Sequence, residues 1–390
     1  LKHGFFERRK PMKIVLFGAG KMAYAIAYDL VRRPEISQVV IGDIRFQDAE
    51  KLAQFLKSPK AKPVRVDATD YHRVLQTIKN SSCVIGSTTY AHNLLLTKAC
   101  LQARTNFCDL GGNIYVVEKQ RGLSAQAKKA GVTVIPDCGL APGMVNVLAY
   151  HWAKDFDSID RLKIRVGGLP QKPKNLLNYQ LVFSVEGLIN EYIEDAVILG
   201  KGRKQMVPSL TGVEELSFPK PFQKLEAFYT SGGSSTLPET LKGKVKNLDY
   251  KTIRYPGHSQ FVKFMLDLGL VSSQPVQIGQ KKIIPRQLSA YLLTRYLPAN
   301  QPDVVLIRIQ LEGKSQGKFT KRTYDSIDYY DRKTRLTSMQ RTTGFPVAII
   351  AQMLASGRIL QKGVIPQELA VPGKEFIQEL NKRNISFIKK

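Results

Sequence analysis

The chain has 390 residues, 43% of them hydrophobic and 23% charged, with a formal charge of +27. That length exceeds what one small core organises and predicts two domains. No apolar run approaches the ~20 residues of a membrane-spanning helix. Segment 1–11 is short and basic, lacks the apolar stretch of a signal peptide, and reads as an upstream extension, because Met12 immediately precedes the first strand. Cys83, Cys100, Cys108 and Cys138 form no Cys-x-x-Cys pair and no metal-ligand spacing, so reduced, buried thiols, no metal and a cytoplasmic location are expected.

The first predicted strand, 13–17, runs into Gly18-Ala19-Gly20-Lys21-Met22-Ala23 and then a helical stretch over 24–33. This order of parts is a dinucleotide-binding fingerprint. Gly18 allows a sharp turn, Gly20 leaves room for a pyrophosphate, Ala23 lets the helix lie close on the strand, and the helix N-terminus offers free N–H groups to the anion. A second strand over 38–42 ends at Asp43, 23 residues beyond Gly20. An acid there accepts from both ribose hydroxyls and repels a 2′-phosphate, which points to NAD over NADP. Arg45, two residues on, softens that preference.

Strand and helix patterns then alternate. A helix is predicted over 46–57, a strand over 63–66, a helix capped by Asp70 to Lys79, and a strand over 83–86 leading to Ser87-Thr88-Thr89-Tyr90. A helix over 93–103, a strand over 106–109, one long helix over 116–130 and a strand over 132–136 follow. The fold class is α/β, a doubly wound Rossmann-type parallel sheet whose ligands sit beyond the carboxyl ends of the strands. Ser87, Thr88, Tyr90, Asp109 and Gly111 all lie at such ends.

Beyond Trp152 the rhythm changes. Strands are predicted over 162–166, 196–199, 246–254 and 304–311, with a hairpin of 324–330 and 336–341 around Asp331 and helices over 185–193 and 259–268. This predicts an α+β substrate and dimerisation domain with a mixed or antiparallel sheet. An apolar helix over 346–356 is expected to pack back on the first domain. The domains are then 1–150 completed by 342–390, and 151–341.

The chain resembles the saccharopine dehydrogenase family, within it most closely the lysine 6-dehydrogenase branch. The resemblance is carried by Asp109-Leu110-Gly111-Gly112, by Ile135-Pro136-Asp137-Cys138-Gly139-Leu140-Ala141-Pro142-Gly143-Met144-Val145-Asn146, and by Val166-Gly167-Gly168-Leu169-Pro170. Phe183-Ser184-Val185-Glu186-Gly187-Leu188, Leu225-Glu226-Ala227-Phe228-Tyr229-Thr230-Ser231-Gly232-Gly233 and Tyr250-Lys251-Thr252-Ile253-Arg254-Tyr255-Pro256-Gly257-His258 complete it. It implies hydride transfer between nicotinamide and a nitrogen-bearing carbon of an amino acid. For lysine that carbon is C6: ammonia leaves and the aldehyde cyclises onto the α-amino group. It also implies a homo-oligomer. Saccharopine reductases of the family carry arginine where this chain has Glu186, and again where it has glycine in the run from Gly232. Glu186 is therefore expected to repel a dicarboxylate and attract an ammonium, its other reading being a charge favoured by a helix N-terminus.

Arg254 is the candidate for the substrate carboxylate, or a solvated strand arginine. Thr230, Ser231, Gly232 and Asn146 are further substrate-binding candidates, the run from Ser231 to Thr236 reading either as an anion cradle or as a flexible surface loop. Amine oxidation needs a proton acceptor. Asp109, at a strand end facing the crevice, is the first candidate, His258 the second, and Tyr90 stands at the preceding strand end. Asp137 is expected to cap a helix that begins near Pro142.

Saccharopine or a carboxylated polyamine of the carboxynorspermidine type is the alternative substrate. A reading of another class is a non-catalytic, NAD-sensing protein held to nucleic acid or membrane by the basic surface. Its only support is the charge, and apart from groups such as Arg8-Arg9-Lys10 and Lys242, Lys244 and Lys246 the basic residues are scattered, with no specific nucleic-acid motif.

Overall fold

The computed structural model describes residues 11–299 and 301–390, so the basic group at Arg8-Arg9-Lys10 lies outside the described residues. The chain divides into two compact units. The first holds the described residues up to Cys138 together with Gly344–Pro366, and the second holds Gly139–Thr343 and Gln367–Lys390. The division thus falls at Cys138, earlier than the expected 150, and only Gly344–Pro366 of the C-terminal part returns to the first unit.

The first unit is a seven-stranded parallel sheet. Its strands are β1 (Met12–Phe17), β2 (Ile36–Asp43), β3 (Ala61–Arg65), β4 (Cys83–Gly86), β5 (Asn106–Asp109) and β6 (Thr133–Ile135), with Gly363–Val364 added beside β6. The order is Gly363–Val364, β6, β5, β4, β1, β2, β3. The winding therefore reverses between β1 and β4, which places Gly18 and Ser87 side by side at the switch point where such sheets bind ligands. Val15, Phe17, Val84, Phe107 and Val134 fill one core between sheet and helices. The long helix expected over 116–130 is two, Ile114–Arg121 and Ser124–Ala130, broken at Gly122 and Leu123. The apolar C-terminal helix begins earlier than expected and spans Ser338–Ala355. Within the first unit, a Cβ on its Gly344 would stand 2.8 Å from Ala25 Cβ, and its Gln352 donates to buried Asp29 at 2.9 Å.

The second unit is built on a nine-stranded mixed sheet. Val245–Arg254 runs parallel to Ser158–Pro170, and Asp303–Ser315 runs antiparallel to both Ser158–Pro170 and Lys318–Tyr329. The expected partner strand over 336–341 is not a strand. The Asp303 carboxylate accepts from the backbone N–H groups of Ser338 and Met339 at 2.6 and 2.9 Å, an anion at the orphan donors of a helix start. A residue 35 positions upstream thus turns this stretch helical.

Candidate active site

The dinucleotide cradle is built at the end of β1. Gly18 has φ +96°, and a Cβ there would stand 2.5 Å from the Ser87 carbonyl oxygen, so only glycine fits. Gly20 caps the helix Lys21–Val31, and nothing lies within 4 Å of where its Cβ would be. That open space sits over the free N–H groups of the first turn, which Lys21 and Met22 begin. Ala23 is fully buried. Asp43 accepts from the Ala19 N–H at 2.8 Å and from the Arg45 N–H at 2.9 Å, which fastens the acid against the glycine turn. The Arg45 side chain is 77% exposed and pairs with Asp48. Ser87 Oγ is buried without a partner among the described residues, whereas the Thr88 hydroxyl donates to the Thr89 carbonyl at 3.3 Å. The gap at Gly20 and the orphaned Ser87 hydroxyl fit a dinucleotide.

Asp109 does not face an open crevice. It is fully buried, its Oδ1 accepting from the Gly111 N–H at 2.8 Å and its Oδ2 from Gln120 at 2.8 Å. Burial pushes its carboxyl up to about 6, against the pull of these donors. It ties the end of β5 to the turn after β6, where a Cβ on Gly111 would overlap the Asp137 carboxylate. Both oxygens of Asp109 are thus engaged in holding these turns together. Asp137 does not cap the next helix, which is Met144–Ala153 with Gly143 at its N-cap. Tyr90 opens a short 3-10 turn, its ring 3.3 Å from where a Cβ on Gly112 would stand. All four cysteines are free and buried, with thiols that burial holds above their ordinary range.

The second unit gathers its polar residues around Arg254, on the strand Val245–Arg254. The Arg254 side chain is 3% exposed. Its Nε donates to Tyr192 Oη at 3.1 Å, its Nη1 to the Ile253 carbonyl at 3.0 Å, and its guanidinium lies 5.0 Å over the Tyr179 ring. This is no solvated strand arginine. His258 is 2% exposed, with Nδ1 2.8 Å from the Leu177 carbonyl and Nε2 2.9 Å from Tyr192 Oη. A carbonyl only accepts, so Nδ1 carries the proton and Nε2 receives the tyrosine O–H. A chain of donors thus runs from Arg254 through Tyr192 and His258 to Leu177. Burial and the Arg254 charge push the imidazole down to about 3. His258 is thus a link with both ring nitrogens engaged, which weighs against the proton-acceptor role expected from its place in the sequence. With Tyr192 and Tyr179 it also lines an apolar pocket walled by Leu188, Met265 and Leu297.

The run from Ser231 to Thr236 is no flexible surface loop. Asn146 donates to the Ser234 carbonyl at 2.8 Å, Ser234 Oγ to the Val197 carbonyl at 2.9 Å, and Thr236 Oγ1 to Glu368 at 2.9 Å. Thr230 and Thr252 share a hydrogen bond of 2.7 Å, and Ser231 Oγ donates to the Asn190 carbonyl at 3.3 Å. These side chains hold the loop, and their hydroxyls are committed internally. Gly232 differs: its φ is +84° and nothing lies within 4 Å of a Cβ built on it. Glu186 stands in the first turn of Val185–Ile193 with 58% of its side chain exposed, 2.7 Å from Arg286 Nη2. Its charge is answered by that arginine, which removes the expected pull on a substrate ammonium.

Glu191, five residues further along the same helix, was not singled out by the sequence. Its Oε2 is 3.9 Å from Arg254 Nη2, and 29% of its side chain reaches solvent. Among the described residues its carboxylate accepts no hydrogen bond. Burial pushes it up to about 7, with Arg254 opposing. The sequence signal was slight: Leu188, Ile189 and Tyr192 mark the buried face, and Glu191 flanks it.

These two units define a dinucleotide-binding α/β protein with a separate domain carrying a buried arginine. The model of the saccharopine dehydrogenase NADP binding domain matches residues 14–135, and that of the saccharopine dehydrogenase C-terminal domain matches residues 139–385. The chain belongs to the saccharopine dehydrogenase family, whose members are NAD(P)-dependent oxidoreductases acting on CH–NH donors of amino acids. It is 23% identical to the carboxynorspermidine synthase of Vibrio cholerae over 93% of both chains. It is also 23% identical to the Saccharomyces cerevisiae saccharopine dehydrogenase [NADP(+), L-glutamate-forming], over 69% of this chain and 61% of that one. The fold matches the apo structure of the L-Glu-forming saccharopine dehydrogenase from Saccharomyces cerevisiae, with a TM-score of 0.80, 20% identity and coverage of 97% and 99%. It also matches a homospermidine synthase from Legionella pneumophila in complex with NAD, with a TM-score of 0.63, 14% identity and coverage of 97% and 91%. Among the described residues no helix is long and apolar enough to cross a membrane.

Proposed function

We propose that the chain is an NAD-dependent oxidoreductase that oxidises the nitrogen-bearing carbon of an amino acid whose carboxylate lies on Arg254. The observation that carries this reading is the guanidinium itself. It is buried, oriented by Tyr192, and left with an Nη2 that makes no hydrogen bond among the described residues. A guanidinium so held grips a carboxylate without further ordering. NAD, when bound, supplies the hydride acceptor. The overall reaction with lysine is R–CH2–NH3+ + NAD+ + H2O → R–CHO + NH4+ + NADH + H+.

Oxidation of L-lysine at C6 is the first substrate reading and rests on the resemblance in the motifs, since Glu186 no longer supports it. A carboxylated polyamine is the second, favoured by the end-to-end match to the Vibrio cholerae synthase. NAD over NADP is supported by Asp43 against the glycine turn, although the matching domain model is named for NADP. Four buried free thiols support a reducing, cytoplasmic setting. A homo-oligomer is supported by the outward apolar stripe of Phe261, Phe264 and Leu268, and sedimentation tests it.

The test of function is reduced-cofactor formation, followed at 340 nm, with L-lysine, saccharopine and carboxynorspermidine, each with NAD and with NADP. We expect turnover with one of them, faster with NAD at limiting cofactor, and a shift toward NADP in Asp43→Ala. No reduced cofactor with any of them, joined to DNA or anionic-vesicle binding that survives ~150 mM salt, would favour the binding protein instead.

A further inference from the structure

We infer that Arg254 and Glu191 form a clamp that binds both charges of the substrate's α-amino-acid head group, Arg254 its carboxylate and Glu191 its α-ammonium. The inference rests on the proposed function for its substrate class, and on the second unit alone for its geometry.

Arg254 Nη2 and Glu191 Oε2 are 3.9 Å apart, beyond hydrogen-bond reach. A pair meant only to neutralise itself closes that distance, as Arg286 and Glu186 do at 2.7 Å. Arg254 is prevented from doing so because its Nε and Nη1 are already fastened, to Tyr192 and to the Ile253 carbonyl. Two opposite charges are thus held side by side, each with a face left unsatisfied. In an α-amino acid the carboxylate and the ammonium hang on one carbon, within hydrogen-bond length of each other. A carboxylate that accepts from Arg254 Nη2 therefore presents its α-ammonium to Glu191.

The surroundings agree. Glu191 meets Arg254, Tyr179, Tyr192 and Tyr250 electrostatically, and no lysine among them competes for its charge. Burial raises its carboxyl, and an ammonium donating to it would oppose that shift. The Ser231 N–H donates to the Glu191 carbonyl at 3.0 Å, so the pinned loop with outward Gly232 begins at this residue.

The test uses matched ligands on the full chain in the presence of NAD. Binding of L-lysine, saccharopine and carboxynorspermidine is measured by calorimetry against analogues in which hydrogen replaces the α-ammonium, 6-aminohexanoate for lysine. Turnover is followed in parallel. At least one parent compound is expected to bind about 10- to 100-fold tighter than its analogue, the range of a charge-assisted hydrogen bond. In Glu191→Gln the parent loses that advantage while the analogue changes little. Equal affinity within every pair in the wild type, binding of no member included, overturns the clamp, as does a substitution that weakens parent and analogue alike. Should the variant fail to fold, the wild-type ratio alone decides. Discrimination without turnover would sink the proposed function and leave the clamp. Turnover without discrimination would do the reverse.

Discussion

Gly18 and Gly20 are two glycines of one turn required for different reasons, and substitution separates them. Gly18→Ala forces a side chain onto the Ser87 carbonyl at positive φ and is expected to lower stability by about 1–3 kcal/mol, read in a denaturant titration. Gly20→Ala meets nothing in the free protein. It should unfold like the wild type yet lose ~10-fold or more in NAD affinity, because the methyl enters the space a pyrophosphate takes. Both glycines were legible in the sequence because their spacing carries their chemistry. Tyr192 and Glu191 were not: in a helix with Leu188 and Ile189 they read as core and flank, and only the fold brings Arg254 to them. Tyr192→Phe removes the hydrogen bond that aims Arg254, and is expected to raise KM for the amino acid several-fold while kcat moves less. A merely structural role would leave that ratio unchanged.

Among the elements, the end of β5 carries one part of the pH dependence. The folded carboxyl of Asp109 lies at about 6, above the ordinary unfolded value of about 3.9. Between about pH 4 and 6 the folded protein holds the extra proton, so its stability falls as pH rises through that window and the loss is complete above it. At two units the loss reaches about 3 kcal/mol at most. Asp109→Asn should flatten this part of the profile in urea unfolding at pH 4.5 and 7, with the unpaired Gln120 Oε1 able to accept from the new amide. An unchanged slope would mean that Asp109 is not the group responsible. His258 has the opposite sign: pushed down to about 3, it contributes stability above its ordinary value near 6.5 that is lost on acidification. Most strands and helices of the first unit were readable because each pattern is local, the exceptions being the break at Gly122 and Leu123 and the strand Gly363–Val364, which joins the sheet from far along the chain. The stretch at 336–341 was misread as a strand because the Asp303 carboxylate that starts its helix lies far away in sequence.

At the scale of the whole molecule, the division into a dinucleotide unit and an arginine-bearing unit follows the chain's change of rhythm, although the boundary at Cys138 precedes any visible break in pattern. The measurement that bears most directly on the account follows the hydride. The accepted substrate is deuterated in one sample at the distal nitrogen-bearing carbon and in another at the α-carbon, each is turned over with NAD, and the reduced cofactor is examined by mass spectrometry. For the distal label the account predicts one deuterium at the nicotinamide C4 and a rate that falls, or stays level where release is slow. Reduced cofactor without deuterium from that sample, or deuterium taken only from the α-carbon, would contradict it.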